Sequence, residues 1–264
     1  MSINAYLTTL SSSLVLKNAE KESIDRSIAT MHTRLKQYFG NDIKEDFRFG
    51  SHTRDTILPR RADNNSDIDY MVVFDNQYEY KPQTYLNKLR NFAEYYYSRT
   101  EIRQSHPTMV LELNHIKFEL VPAYHKKTSW FEEGYKIPAP SNNYEEWMST
   151  DPNDFNQQLT SINTANNFKI KPTIRLLKYW NARNGYVYTS YFLEKHIIST
   201  SFLWCTNLKD YFKIAVDNLP EYGLSNFKAE KVKKLKENIK EIYEDEGLYP
   251  SYALVELKKT LPEL

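Results

Sequence analysis

The chain has 264 residues, of which 41% are apolar and 26% charged, a composition that supports one large domain or two small lobes and excludes a disordered chain. Thirty-five Lys and Arg stand against 34 Asp and Glu, so charge alone does not make this a coat for long nucleic acid, though a local basic groove is compatible with it. The single Cys205 excludes an internal disulfide and a cysteine zinc site and reads as a small core residue; no signal-peptide pattern or membrane-length apolar run is present, and a cytoplasmic protein is expected.

In chain order, Leu7, Leu10 and Leu14 suggest a first helical stretch. Ile24, Ile28, Met31, Leu35 and Tyr38 then recur at spacings of four and three, predicting an amphipathic helix that Gly40 ends. Glu45 to Phe49 reads as a short strand. Gly50 to Ser66 is rich in turn formers and charges and reads as a loop with a short helical turn. Asp67 to Phe74 (DIDYMVVF) is a strand, and Tyr85, Leu89, Phe92 and Tyr96 mark a helix. Ile102 to Gln104, Thr108 to Leu113 and Ile116 to Val121 are strands, with Asn114-His115 as a tight turn.

From about Trp130 the chain reads as loop, with Pro138, Pro140 and Pro152. Helices are then predicted at Asp154 to Asn167, Pro172 to Arg183, Ser190 to Ser199, Phe202 to Val216 and Asn226 to Glu244. In the last, Phe227, Val232, Leu235, Ile239 and Ile242 keep helical spacing, and Lys231, Lys233, Lys234 and Lys236 form its solvated face. The expectation is an α+β chain. Residues 1–150 form a long N-terminal helix and a mixed lobe, residues 151–264 form a helical lobe, and the N-terminal helix is able to bridge both.

Residues two apart on a strand share a face, so Asp67 and Asp69 project together while Ile68 and Tyr70 pack the other way. Paired carboxylates repel each other unless a cation lies between them, and divalent metal is the obvious cation. Upstream, Gly50-Ser51 follows a predicted strand. A glycine lets the backbone approach phosphate, and the serine adds a hydroxyl donor. Glu119, alternating with Phe118 and Leu120, is the candidate third acid. Three carboxylates around two metals clamp a triphosphate and activate an attacking hydroxyl. The competing structural readings are a loop-capping Asp67, an ion-paired Asp69 and a solvated Glu119.

With these residues in place, FGSHTRDT, NNSDIDYMVVF and KFELVPAY resemble the polymerase-β-like nucleotidyltransferase superfamily. Within it the sequence is similar to the bacterial cGAS/DncV-like nucleotidyltransferases (CD-NTases), which make cyclic oligonucleotide signals in anti-phage defence. The resemblance runs from about Phe47 to Glu194. It implies a spine helix, a nucleotidyltransferase sheet lobe and a helical lobe. It also implies nucleoside triphosphate substrates with two Mg2+ or Mn2+ ions on Asp67, Asp69 and Glu119. Pyrophosphate release, a cyclic di- or trinucleotide product and a downstream effector follow from the same likeness.

IRLLKYWN, from Ile174 to Asn181, is similar to the family helix that brings a lysine, here Lys178, to the triphosphate. Lys171, Arg175 and Lys178 share one helical face, either a basic stripe or a solvated one. TSYFLE resembles the segment in which a serine, here Ser190, touches phosphate and the next aromatic, Tyr191, stacks on a base. Ser190 equally suits a helix N-cap, and Tyr191 equally suits a core. Two positions depart from the family pattern. Asp55 is a carboxylate beside a triphosphate loop and must point away or pair with Arg54, Arg60 or Arg61. Glu119 stands where most relatives have Asp, and its role is the one the departure touches. Two rival readings are transfer to a tRNA or protein acceptor, and a catalytically silent nucleotide sensor. No acceptor pocket is legible, so neither the bases, the linkage nor the oligomeric state is predicted.

Overall fold

In the computed structural model, the residues described are 1–264 except 106, 129–130 and 140–144. Trp130 and Pro140, cited above for a loop, lie outside the described residues. The helices are α1 (Ile3–Ser13), α2 (Asn18–Phe39), α3 (Gly50–Thr53), α4 (Pro82–Tyr96), α5 (Pro152–Ala165), α6 (Ile170–Arg183), α7 (Ser190–Ser199), α8 (Leu208–Asp217), α9 (Asn226–Asp245) and α10 (Pro250–Thr260). The strands are β1 (Ile43–Phe49), β2 (Asp67–Phe74), β3 (Glu101–Ser105), β4 (Thr108–Glu112), β5 (Lys117–Thr128), β6 (Phe131–Pro138) and β7 (Trp147–Thr150). The chain is thus α+β. It forms two compact units, one from Lys17–Arg54 and Asn65–Asn156, the other from Met1–Leu16, Asp55–Asn64 and Gln157–Leu264.

The first of these units is built on a seven-stranded sheet ordered β1-β2-β5-β4-β3, with β6 pairing both β5 and β7. Strands β2 and β5 are parallel, and every other pair is antiparallel. The alternation read from DIDYMVVF holds at its start: Ile68 and Tyr70 are buried, while Asp67 and Asp69 are half-buried. From Tyr70 to Phe74 every residue is buried, as expected of a central strand covered on both faces. The Asn114-His115 turn is closed by Leu113 N donating to Ile116 O at 2.9 Å. Helix α2 buries Ile24, Met31 and Leu35, and Gly40 ends it at φ 53°, in the left-handed region. Helix α4 buries Tyr85, Leu86, Leu89, Phe92 and Ala93. Each buried Ile, Leu, Met or Phe among these contributes about 1.5–3 kcal/mol of hydrophobic stabilisation.

The region expected to be loop beyond Trp130 contains β6 and β7. In the run FEEGYKIP, Tyr135 and Ile137 alternate and pack against the Met71, Val73 and Ala123 cluster, but Gly134 and Pro138 interrupt the strand pattern. The run is a strand because the extended end of β5 supplies hydrogen-bonding partners, as in the pairing of Tyr124 with Lys136. That pairing is a tertiary effect.

In the second unit α1 packs on α6, α8 and α10. Tyr6 Oη donates to Leu261 O at 2.5 Å. Helix α6 buries Ile170, Ile174, Leu176, Leu177, Tyr179 and Trp180. Asn181 then fixes the turn into α7: its Nδ2 donates to Tyr188 O at 2.9 Å and its Oδ1 accepts from Tyr188 N at 3.0 Å. Three details differ from expectation. Helix α8 begins at Leu208, not Phe202, because Asn207 caps it by accepting from Asp210 N and Trp204 sits at φ 66°, outside helical geometry. Phe227 is exposed, so the apolar stripe of α9 starts at Val232. Helix α10 lies past the last predicted element. Lys233 and Lys234 are solvated as expected, whereas Lys231 donates to Asn184 O at 2.6 Å and Lys236 pairs with Glu221 at 2.8 Å. Cys205 is half-buried rather than core, with its thiol pushed up by burial and then by Asp210.

Candidate active site

The parallel register between β2 and β5 places Asp67 opposite Lys117 and Asp69 opposite Glu119. Side chains two apart on each strand share a face. Asp67, Asp69, Lys117 and Glu119 therefore form a charged square on one face of the sheet. The opposite side of both strands is apolar: Ile68, Phe118 and Leu120 are fully buried. Tyr70 anchors β2 from that opposite side. Its hydroxyl donates to Asp46, whose carboxylate is fully buried and also takes His32 Nδ1 at 2.9 Å. Burial, and then the bond to Asp46, push the Tyr70 phenol far above its ordinary range, so it stays a donor.

Gly50 opens the short α3 at φ 73°. A Cβ built there would lie 1.8 Å from Asp69 Oδ2 and 2.6 Å from its Cγ. The Asp69 carboxylate is thus seated directly on the glycine backbone, and no other residue fits. Thr53 closes the turn, its Oγ1 donating to Gly50 O at 2.9 Å. Ser51, the second residue of α3, follows Gly50 at the end of β1, where Phe49 pairs with Asp69. The loop serine is therefore next in sequence to the contact point with the acid.

Sequence reasoning missed Lys117. Its Nζ lies 3.1 Å from Asp67 Oδ2 and 3.2 Å from Glu119 Oε1, with the side chain only 9% exposed. Burial by itself lowers the ammonium's pKa, but the charges and hydrogen bonds of Asp67 and Glu119 outweigh it and the net shift is upward. The signal was present: a lysine two residues before the third acid must share its face. The carboxylates offer hard oxygen donors, the type that Mg2+ or Mn2+ takes. Among the described residues, no three Asp, Glu, His or Cys side chains form a ready metal-holding group. Oxygens of Asp67 and Glu119 converge instead on the Lys117 ammonium. The donor set thus fits a divalent cation in its oxygen chemistry, while Asp67 and Glu119 are closed around the Lys117 ammonium.

The remaining candidates belong to the helical unit and are described within it. Lys178 is buried, and its Nζ donates to Glu194 Oε1 at 3.3 Å. Glu194 is fully buried and also accepts from Thr56 Oγ1 at 2.5 Å. Arg175 is buried too, its Nε donating to Ser11 O at 3.3 Å and a terminal nitrogen to Asp55 O at 3.0 Å. Burial lowers its pKa to about 10, against the pull of Asp55. Lys171 pairs with Asp55 Oδ2 at 3.1 Å. The face expected to be a solvated or phosphate-facing stripe is thus a set of pairs inside the unit. Asp55 is neutralised, by Lys171 rather than by Arg54, Arg60 or Arg61. Its φ of 55° is the left-handed region, unusual outside glycine. Ser190 is exposed at the first turn of α7, and the cap of that helix is Thr189, whose Oγ1 accepts from Phe192 N at 3.2 Å. Tyr191 is exposed and not core. No helix among the described residues is long and apolar enough to cross a membrane.

Comparison with known proteins identifies the family and the fold. Residues 1–163 match the model of the SMODS family, the Second Messenger Oligonucleotide or Dinucleotide Synthetase domain. A Bacillus cereus (strain VD146) protein named "Probable cyclic nucleotide synthase" is 28% identical over 206 residues, covering 64% of this chain and 59% of that protein. The match therefore spans less than two thirds of that relative's length. The fold is shared with Vibrio cholerae DncV cyclic AMP-GMP synthase in complex with nonhydrolyzable GTP, at TM-score 0.80 and 13% identity, over 99% of this chain and 96% of that one. It is shared also with E. coli MS115-1 CdnC with ATP, at TM-score 0.72 and 11% identity, over 100% and 98% of the two chains. The family match covers more than half of the sequence, and the chain belongs to the SMODS family.

Proposed function

We propose that this chain is a metal-dependent synthase that joins nucleoside triphosphates into a cyclic di- or trinucleotide, releasing pyrophosphate. One observation carries the reading. In a member of a synthetase family, the β2–β5 register sets Asp69 beside Glu119, with Asp67 on the same face and Gly50 beneath the Asp69 carboxylate. In each transfer an oxygen–phosphorus bond forms from a nucleotide hydroxyl to the α-phosphorus of a second triphosphate. The bond to pyrophosphate breaks, and the hydroxyl proton passes to a carboxylate, a role assigned to Glu119. Asp67, Asp69 and Glu119 would hold two Mg2+ ions, which would supply charge neutralisation at the phosphate oxygens. Gly50 and the Ser51 hydroxyl bind phosphate at the head of α3. From the helical unit, Lys178 and Ser190 are assigned to phosphate and Tyr191 to base stacking, on the strength of the sequence resemblance. The cyclic product signals to a downstream effector in anti-phage defence, a role that rests on the same resemblance.

The test is product identification by mass spectrometry after incubation with all four ribonucleoside triphosphates and Mg2+ or Mn2+. A phosphatase-resistant cyclic product, absent from Asp67→Asn and Asp69→Asn, is expected. Label found only on added tRNA or protein would overturn the cyclase reading, and triphosphate binding without turnover would overturn synthesis altogether.

A further inference from the structure

Lys117 has no part in the reaction as described, yet it sits in the middle of the acidic face. Long lysine side chains normally bury their stem and keep the ammonium in water. Here the head is drawn in, 3.1 Å from Asp67 and 3.2 Å from Glu119, and these acids are only 29% and 22% exposed. The placement is fixed by backbone rather than by a chance rotamer. Lys117 shares a face with Glu119 because it lies two residues away on β5, and the strand register sets it opposite Asp67. Three carboxylates on one face repel each other, and a single ammonium between two of them relieves that repulsion.

We propose that Lys117 is a built-in counter-cation of the acidic face. It holds Asp67 and Glu119 together in the metal-free protein and competes with divalent metal for their oxygens. The inference rests on the reading of Asp67, Asp69 and Glu119 as the metal site. Ammonium and metal would compete there, because Nζ already lies on Asp67 Oδ2 and Glu119 Oε1 and two cations at the same acids repel each other. A triphosphate brings its own negative charge, which gives the displaced ammonium a new partner. Metal uptake is thereby coupled to nucleotide uptake, and the nucleotide-free protein holds metal weakly.

The experiment measures Mn2+ binding by the nucleotide-free full chain, following free Mn2+ by electron paramagnetic resonance. Wild type is compared with Lys117→Met, Lys117→Gln and Asp69→Asn, and thermal unfolding is recorded in EDTA and in Mn2+. Removing the competing cation is expected to tighten Mn2+ binding about tenfold, equivalent to roughly 1.4 kcal/mol. Both Lys117 variants melt below wild type in EDTA, and Mn2+ raises their melting temperature more than it raises that of wild type. Equal or weaker Mn2+ binding by both Lys117 variants, with binding lost in Asp69→Asn, overturns the proposal and leaves the metal site standing. Mn2+ binding unchanged in Asp69→Asn overturns the metal-site reading and the proposal with it. A Lys117 variant that folds only when Mn2+ is present supports the proposal, because metal then replaces the missing charge.

Discussion

The Asp69 carboxylate rests on the backbone of Gly50, with 1.8 Å between its Oδ2 and the place a Cβ would occupy at position 50. The two residues therefore constrain each other. Gly50→Ala meets a steric clash with Asp69 and a left-handed φ of 73°, which costs an L-residue about 1–2 kcal/mol by itself. Either the loop or the acid must move. Synthesis is expected to fall by at least about 100-fold, the scale of a misplacement of about 1 Å at a reacting centre. A melting curve beside the product assay checks this: activity lost with most of the stability retained is the predicted outcome.

Asp69→Asn keeps the shape of the side chain and removes its charge. Asp69 stands opposite Glu119 in the register, so one source of like-charge repulsion disappears. Product formation is expected to drop by about 1,000-fold or more, since the change removes charge stabilisation from the reacting phosphate. The melting temperature should stay level or rise slightly. A clear fall in stability would mean that Asp69 is a structural ion-pair partner.

The pair Lys178–Glu194 is shut away from solvent, at 5% and 0% side-chain exposure. Glu194→Leu strands a buried ammonium and leaves Thr56 without its acceptor. A loss of about 3–5 kcal/mol is expected, the usual cost of removing one partner of a buried pair. Thr56→Val removes one hydrogen bond and should cost about 1 kcal/mol. Urea unfolding of the two variants measures both, and a Glu194→Leu effect no larger than that of Thr56→Val would contradict the buried pairing.

His196 gives the chain a predictable acid response. Its ring stacks on Phe192 at 5.9 Å, and its Nε2 is buried with no hydrogen-bond partner among the described residues. Burial lowers its pKa first, the nearby Asn218 backbone opposes this, and Lys236 adds to the lowering. The folded-state value is therefore below the ordinary value of about 6.5. Between those two values the unfolded chain binds more protons than the folded one. The stability from neutral His196 is present above about pH 6.5 and is lost as pH falls through the folded-state value. Melting curves from pH 7.5 to 5 should flatten in His196→Phe relative to wild type, and an unchanged pH slope would show that His196 does not drive it.

Much of the architecture is legible because it is local. The bounds of β2 follow from the β-rich run DIDYMVVF, and the run from Ser190 to Ser199 was readable as α7. Gly40 ends α2 because its φ of 53° is open to glycine. Elements with weak local periodicity were not legible. Strand β6 exists by pairing onto β5 and β7 by pairing onto β6, and the start of α8 is set by the Asn207 cap within an otherwise apolar stretch.

The same division applies to the candidate site. Gly50-Ser51 stand out by residue type after a strand, and Asp67, Asp69 and Glu119 by residue type and alternation along single strands, so the sequence alone determined which residues to consider and which face of its strand each acid occupies. Only the tertiary structure decided what each of them meets. The parallel register set Asp69 beside Glu119 and brought Lys117 between Asp67 and Glu119. The close approach of β2 to α3 put the Asp69 carboxylate on Gly50. Burial within the helical unit turned Lys178 toward Glu194. The physical reason is range. The face of a strand follows from a two-residue period in the local backbone, whereas the partner of a charge depends on segments far apart in the chain, brought together by packing.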